Sequence, residues 1–157
     1  MNGTGIPLVL GIGNVYRCDD ALGVLAARLV REAAPGLCTV HEMDGEGAAL
    51  MEAWHGAGFV VVIDAVRSSR EPGTLVRLDA VETPIAMHSF RSSSHAFGLA
   101  EAVELSRSLG MLPARLVIYG VEGTAFSLGQ GLSPRVSAAL PRAVTMIVDE
   151  IRNGSTT

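Results

Sequence analysis

Lysine is absent from this sequence, and cysteine and aromatic residues are scarce. All 12 positive charges are arginine, and with 16 Asp and Glu residues they leave the 157-residue chain at a net charge of −4. The arginines form no basic stripe, which argues against nucleic acid as a partner. The two cysteines, Cys18 and Cys38, form neither a Cys-x-x-Cys motif nor a disulfide framework. Because aromatic residues make up only 4% of the chain, the core must be mainly aliphatic.

The sequence also lacks a hydrophobic run long enough to cross a membrane. The uncharged stretch 1–16 is interrupted by Gly, Pro and Asn and has no basic flank, so it predicts neither a signal peptide nor a spanning helix. The apolar run Phe59–Ile63 has the length of a strand and is followed by Asp64. We therefore expect a cytoplasmic monomer with no membrane contact. It should fold as one domain over residues 1–157, with an ordered core at about 7–152.

Hydrophobic patterning alternates between strand-like and helix-like segments along the chain. Apolar β-branched runs predict buried strands, and apolar residues at three- and four-residue spacing predict helices. Strands are expected at Leu8–Ile12, Cys38–Met43, Phe59–Val66, Thr74–Leu78 and Leu116–Val121, and helices at Ala21–Arg31, Gly47–Trp54, Ala96–Leu109 and from Ser133 onwards. This order is typical of an α/β fold, in which helices cover both faces of a mainly parallel sheet. Thr74–Leu78, the weakest of the strands, is expected at a sheet edge.

Some details of the helices are also predicted. In the first helix, the apolar face should extend as far as Leu29. In the last helix, Ser133 should cap the N-terminus with Pro134 in the first turn. Pro141 should kink or break that helix, because proline removes a backbone hydrogen bond.

Several common motifs of catalytic sites are missing. The first strand ends in a glycine-containing loop, but Tyr16 stands where a dinucleotide-binding loop has its third glycine. A P-loop, a zinc-protease HExxH motif and a serine-hydrolase GxSxG motif are also absent. These absences argue against phosphate-binding and serine-hydrolase functions.

Polar residues follow the predicted strands instead. Asp19 and Asp20 follow the first strand and Asp44 the second. Asp64 comes directly after the five apolar residues that open the third, and His95 precedes a helix. The carboxyl ends of parallel strands meet at one edge of the sheet, where α/β proteins bind their ligands, so these side chains should gather there. Two carboxylates and an imidazole suit a divalent transition metal, with water in the remaining positions.

Each of these residues also has a structural alternative. Asp19 is expected to cap a helix N-terminus, and Asp20 could do no more than favour the helix dipole. His95 could be a second helix cap or a surface residue. Asp64 is the strongest candidate, because a carboxylate that follows an apolar strand must be solvated, paired or metal-bound. Cys18 is expected to be inert, since no base is placed near it.

Short motifs distributed over nearly the whole chain, from about Val9 to Ile151, match one enzyme family in order and spacing. They are Leu10-Gly11-Ile12-Gly13-Asn14, Asp19-Asp20-Ala21-Leu22-Gly23, Asp44-Gly45, Ile63-Asp64-Ala65, His95 with Phe97-Gly98-Leu99, and Gly131-Leu132-Ser133-Pro134. By these motifs the chain resembles the hydrogenase maturation endopeptidases, which process the large subunits of [NiFe] hydrogenases.

The resemblance implies a fold, an activity and a site. The fold would be a three-layer sandwich with a twisted five-stranded sheet. The activity would be removal of a short C-terminal peptide from the large-subunit precursor after nickel insertion, with a cut that follows a Cys-x-x-Cys motif and a His or Arg. Asp20, Asp64 and His95 would recognise nickel in the precursor or hold a metal that polarises the scissile carbonyl. Asp44 would shape the cleft or assist proton transfer, and no organic cofactor would be needed.

The sequence departs from the common family pattern at three places. Many members have Glu at the position of Asp20, Gly-Thr in place of Glu46-Gly47, and Pro-His or Thr-His in place of Ser94-His95. These changes keep the ligand types, although the second could alter the substrate class. Two other functions stay open: a nickel-precursor binding protein or chaperone that does not cut, and a small-molecule α/β enzyme with a carboxylate–histidine metal site. The sequence does not specify which hydrogenase would be the substrate.

Overall fold

A computed structural model of the chain describes residues 5–85 and 96–154. Over these residues the chain forms five strands, β1 to β5, and four helices, α1 to α4. The strands are Leu8–Ile12, Thr39–Met43, Phe59–Val66, Leu75–Asp79 and Arg115–Glu122, and the helices are Leu22–Ala33, Gly47–Trp54, Leu99–Ser108 and Pro134–Gly154. A short 3₁₀ turn, Cys18–Ala21, precedes α1. Every expected strand and helix is present, with modest differences at the ends.

The strands form one sheet in the order β2-β1-β3-β5-β4. Four strands are parallel, and β4 lies antiparallel to β5 at one edge, which confirms the edge position expected for the fourth strand. From β1 the chain first moves to β2 on one side and later returns to β3 on the other. The strand order therefore reverses between β1 and β3, and such a reversal is where open α/β sheets bind their ligands.

Alternate residues of the central strands face two separate aliphatic cores. Val61 and Ile63 of β3 pack into the core that α1 and α4 cover, whereas Val60 and Val62 pack into the core that contains α2 and α3. Burial on both faces explains why β3 reads as a continuous apolar run rather than an alternating one. The result is the α/β three-layer sandwich that the sequence and the family resemblance predict.

Glycines let α1 lie directly against the sheet. A Cβ atom on Gly23 of α1 would lie 2.1 Å from the Ile12 carbonyl oxygen and 2.4 Å from the Ile63 carbonyl oxygen. On β1, a Cβ atom on Gly11 would lie 2.5 Å from the Gly23 carbonyl oxygen. No side chain fits at either position, so this close approach fixes the start of α1 and the 3₁₀ turn in front of it.

Two expectations about the helices need correction. Leu29 is 38% exposed, because the side of α1 that carries Gly23 and Ala27 faces the sheet instead. Helix α4 is continuous from Pro134 to Gly154, so the expected break at Pro141 is wrong, while a kink there stays a prediction. In the described ranges, 5–85 and 96–154, no helix is both long and apolar enough to span a bilayer.

Candidate active site

The candidate site lies at the reversal of strand order, at the carboxyl edge of β1 and β3. The segment after β1 starts at Gly13, whose N–H donates to the Met43 carbonyl oxygen at the end of β2 (2.9 Å). It ends in the 3₁₀ turn that carries Asp20, and this turn contacts β3. Asp20 and Asp64 are therefore supplied by the two strands that flank the reversal, as the sequence predicts.

Asp20 is half-buried and is held by its own loop. Its Oδ2 atom accepts a hydrogen bond from the Asn14 N–H (3.0 Å), which also points to the Asp20 carbonyl oxygen (3.2 Å). Burial raises the pKa of the Asp20 carboxyl above its ordinary value, whereas the Asn14 N–H and the positive charges of Arg17 and Arg67 act in the opposite direction. Because the effect of burial prevails over these groups, the Asp20 carboxylate would be stabilised by a further positive partner such as a metal ion.

Asp64 occupies a buried position inside a strand rather than after it. The strand β3 continues two residues further, to Val66, and Asp64 pairs in register with Gly120 of β5. Only 2% of Asp64 is exposed. The strand has the predicted bounds, and Asp64 follows its apolar run Phe59–Ile63 without ending the strand. Its placement at the carboxyl half of β3 and its burial fit a ligand that is rigidly held.

Asp44 differs from these two residues because it is exposed. Its Oδ1 atom accepts the N–H of Glu46 (2.9 Å) across Gly45, which has a φ of +97°. Glu46 in turn caps α2, since its carboxylate accepts the N–H groups of Ala48 and Ala49, both at 2.8 Å. The Glu46-Gly47 departure therefore has a structural role, and a part for Asp44 in catalysis stays a prediction.

His95 lies outside the described residues, so its convergence with Asp20 and Asp64 stays a prediction. Within residues 5–85 and 96–154, no group of three or more His, Cys, Asp and Glu side chains is arranged to hold a metal ion. The two described acidic residues would therefore need at least one further ligand from His95 or from a bound substrate.

Asp19 has a different role from the one expected. It caps neither the 3₁₀ turn nor α1, because neither has a side-chain cap. Instead its fully buried carboxylate crosses to the loop between β5 and α4. There it accepts hydrogen bonds from the N–H groups of Thr124 (2.9 Å), Ala125 (2.9 Å) and Ser133 (2.7 Å) and from the Ser133 hydroxyl (2.9 Å).

The electrostatics of Asp19 fit an anchor that is ionised at neutral pH. Burial alone would raise the pKa of its carboxyl, but the hydrogen bonds from Thr124, Ala125 and Ser133 outweigh this effect and lower it below the ordinary value. Ser133 does precede α4, and its carbonyl oxygen accepts the Ser137 N–H (2.8 Å), but its hydroxyl serves Asp19 rather than the helix. Asp19 thus links the 3₁₀ turn that carries Asp20 to the loop before α4 through hydrogen bonds.

An arginine near Asp20 was not among the candidate residues. Arg67 follows β3 directly, and its guanidinium lies 4.2 Å from the ring centroid of Phe126, in the loop before α4. Sequence reasoning had no signal for this contact, because Arg67 and Phe126 lie 59 positions apart along the chain. Cys18 is a free thiol, and its lack of reactivity stays a prediction.

Comparisons with known proteins agree with the motifs. Residues 31–150 match the family model of the hydrogenase maturation proteases. A hydrogenase expression/formation protein of Thiocapsa roseopersicina is 30% identical over 90% of this chain, which spans 66% of that relative's length. The hydrogenase-maturating endopeptidase of Escherichia coli is 25% identical and superposes with a TM-score of 0.80, covering 96% of this chain and 94% of that one. The [NiFe] hydrogenase maturation protease of Thermococcus kodakarensis is 26% identical, with a TM-score of 0.74 and coverage of 94% and 99%.

The fold, the motifs around the strand-order reversal and these matches lead to one assignment. The family model covers most of the chain, and the similar solved structures extend over nearly all of it. The chain belongs to the hydrogenase maturation protease family, whose members are peptidases.

Proposed function

We propose that this chain is the endopeptidase that removes the C-terminal extension of a [NiFe] hydrogenase large-subunit precursor, and that Asp20, Asp64 and His95 meet the nickel ion that the precursor carries. The observation that carries this proposal is the position of two acidic side chains at the β1–β3 reversal. Asp64 is held there by a central strand, and Asp20 by the turn after β1. The similar structure from Thermococcus kodakarensis is that of a [NiFe] hydrogenase maturation protease, which supports the same substrate class.

In this proposal nickel belongs to the substrate rather than to the protease. Asp20, Asp64 and His95 supply two carboxylates and one imidazole, and such a site with three ligands should bind free nickel weakly. Cysteine thiolates of the precursor are soft ligands that would complete the coordination of the ion. The protease would then recognise only a precursor whose metal centre already contains nickel.

Peptide cleavage places defined demands on the residues around the ion. Water must add to the scissile carbonyl carbon, the C–N bond must break, and the departing amine must receive a proton. A metal ion beside the carbonyl can act as a Lewis acid. Asp44 is exposed at the same edge of the sheet, after β2, and it could accept the proton of the attacking water and pass it to the amine.

Where the reaction takes place is also part of the proposal. Both cysteines, Cys18 and Cys38, are free thiols in the structure. Free thiols are typical of a reducing compartment, which supports a cytoplasmic reaction on a soluble precursor. We also propose that the protease acts as a monomer.

The test uses nickel-loaded and nickel-free precursor with protease that has been stripped by a chelator. We expect a mass shift of the large subunit, equal to the loss of its C-terminal extension, only for the nickel-loaded precursor. Equal cleavage of both precursors would overturn the proposed recognition of nickel but would leave the assignment as an endopeptidase intact. Stable binding of loaded precursor without any cleavage would instead support the alternative of a nickel-precursor binding protein.

A further inference from the structure

Two of the most exposed large apolar residues in the described chain lie next to the candidate site. Tyr16, four residues before Asp20, is 63% exposed, and Leu128 of the loop before α4 is 75% exposed. We call these two residues the rim patch. Single exposed apolar residues are common on protein surfaces, whereas apolar residues that lie together beside a functional site are candidates for an interaction surface.

Backbone pairing brings the two residues together. Arg17 and Gly129 form an isolated parallel β-bridge. In this bridge the Gly129 N–H donates to the Tyr16 carbonyl oxygen (2.8 Å), and the Cys18 N–H donates to the Gly129 carbonyl oxygen (3.1 Å). Tyr16 directly precedes Arg17, and Leu128 directly precedes Gly129. Because the bridge is parallel, Tyr16 and Leu128 occupy neighbouring positions in its register.

The two loops of the rim patch are held in place before any substrate arrives. Asp19 accepts four hydrogen bonds from the loop that contains Leu128, and its own N–H donates to the Ala125 carbonyl oxygen (2.8 Å). Cys18 and Gly129, where the two loops pair, have positive φ angles of +51° and +154°. Binding to a preorganised surface loses less conformational entropy than binding to a mobile loop.

We propose that the rim patch binds an apolar segment of the large-subunit precursor close to the bond that is cut. This inference rests on the proposed function, because the precursor has to approach the carboxyl edge of β1 and β3 to reach Asp20 and Asp64. The patch continues that site along the same loop, from Asp20 to Tyr16. An aromatic ring on a rigid loop is typical of the few residues that dominate the affinity of an interface.

The test measures processing of nickel-loaded precursor by Tyr16→Ser and Leu128→Ala variants. Each variant should raise KM about tenfold with kcat nearly unchanged, because the patch binds substrate but does not touch the reacting atoms. Leu109→Ala is the matched control. Leu109 is 57% exposed at the end of α3, just before β5 begins and therefore at the opposite edge of the sheet, and its variant should keep the wild-type KM.

A binding measurement separates this inference from the proposed function. The Asp64→Asn variant is used as a non-cleaving background, and its Kd for the precursor should rise about tenfold when Tyr16→Ser or Leu128→Ala is added. If the wild-type chain does not cleave the precursor, the proposed function fails, while the Kd still tests the patch. An unchanged Kd and KM in both patch variants would overturn the inference. So would a wild-type dimer in sedimentation that these substitutions dissociate, because the patch would then bind a second copy.

Discussion

Among single residues, Asp64 is the position whose substitution best separates catalysis from folding. Asn has nearly the volume of Asp but no charge, so Asp64→Asn should keep the packing of β3 and remove the carboxylate proposed to meet nickel. We expect precursor processing to fall at least about a hundredfold, with an unchanged far-UV circular dichroism spectrum. Asp149→Asn removes an exposed carboxylate of α4 and is the matched control, which should process at the wild-type rate. Normal processing by Asp64→Asn would make Asp64 a purely structural anion.

Asp19 should be more important for stability than for the chemical step. Asp19→Ala leaves three backbone N–H groups and the Ser133 hydroxyl without their buried acceptor. We expect a loss of about 3–5 kcal/mol in the free energy of unfolding, measured by urea titration. Ser133→Ala removes only the hydroxyl bond and should cost about 1 kcal/mol. Similar losses for the two variants would contradict the role of Asp19 as the anchor of this loop.

At the residue scale, the sequence predicts which acidic residues reach the carboxyl edge but not what each of them does there. Asp20 and Asp64 lie where topology puts them, because parallel strands share one direction. The role of Asp19 could not be predicted, since its partners Thr124 and Ser133 lie more than a hundred positions away. Arg67 was missed for the same reason. Contacts between residues that are distant along the chain depend on how the elements pack, and no short sequence pattern indicates that packing.

Among the structural elements, the contact of α1 with the sheet depends on two glycines. Gly23→Ala would place a Cβ atom within 2.4 Å of two carbonyl oxygens, and backbone atoms cannot move aside as a flexible side chain can. We expect a loss of about 2–4 kcal/mol in unfolding free energy and slower processing, because α1 follows the turn that carries Asp20. Gly5→Ala is the control, since a Cβ there meets no atom within 4 Å. A stable, active Gly23→Ala variant would show that α1 can shift without loss.

A partly buried polar cluster joins α4 to β4 and β5 and should make stability depend on alkaline pH. The Tyr119 hydroxyl donates to Glu150 Oε1 (2.9 Å), which also accepts the Arg77 Nε–H (2.6 Å). Burial, and then the hydrogen bond to Glu150 and its charge, raise the pKa of Tyr119 from 10.0 to about 12. A raised pKa means that the phenol stabilises the fold fully below pH 10 and loses this effect as the pH rises through about 12.

The Tyr119→Phe variant tests this contribution. It should be less stable than the wild type by about 1 kcal/mol at pH 8, because Phe keeps the ring but cannot donate to Glu150. As the pH rises from 10.0 towards about 12, the difference in unfolding free energy between wild type and variant should shrink. Urea titrations at several pH values measure this difference. A difference that does not change with pH would show that the hydroxyl contributes nothing through its ionisation.

For the whole molecule, element type and order follow from the sequence more reliably than sheet topology does. β3 is predictable because all of its eight residues except Asp64 are apolar, and such a run fits a strand that is buried on both faces. The strand order β2-β1-β3-β5-β4 and the antiparallel direction of β4 are not encoded in any local pattern. The exposure of Leu29 does not follow from the apolar spacing alone, because the buried face of α1 contains Gly23 and Ala27 together with Leu22 and Val30, and Leu29 lies outside that face.

The shared central sheet predicts that both faces of the molecule unfold together. Neighbouring residues of β3 alternate between the two cores, so neither core can be lost without exposing the strand that the other one needs. Trp54 is the single tryptophan of the chain, is 1% exposed and belongs to the core of α2 and α3, so its fluorescence follows that face alone. Far-UV circular dichroism follows all strands and helices. We expect the two urea transitions to coincide, as in two-state unfolding of one domain. A fluorescence transition at clearly lower urea would mean that α2 and α3 detach first and that the chain is not one cooperative unit.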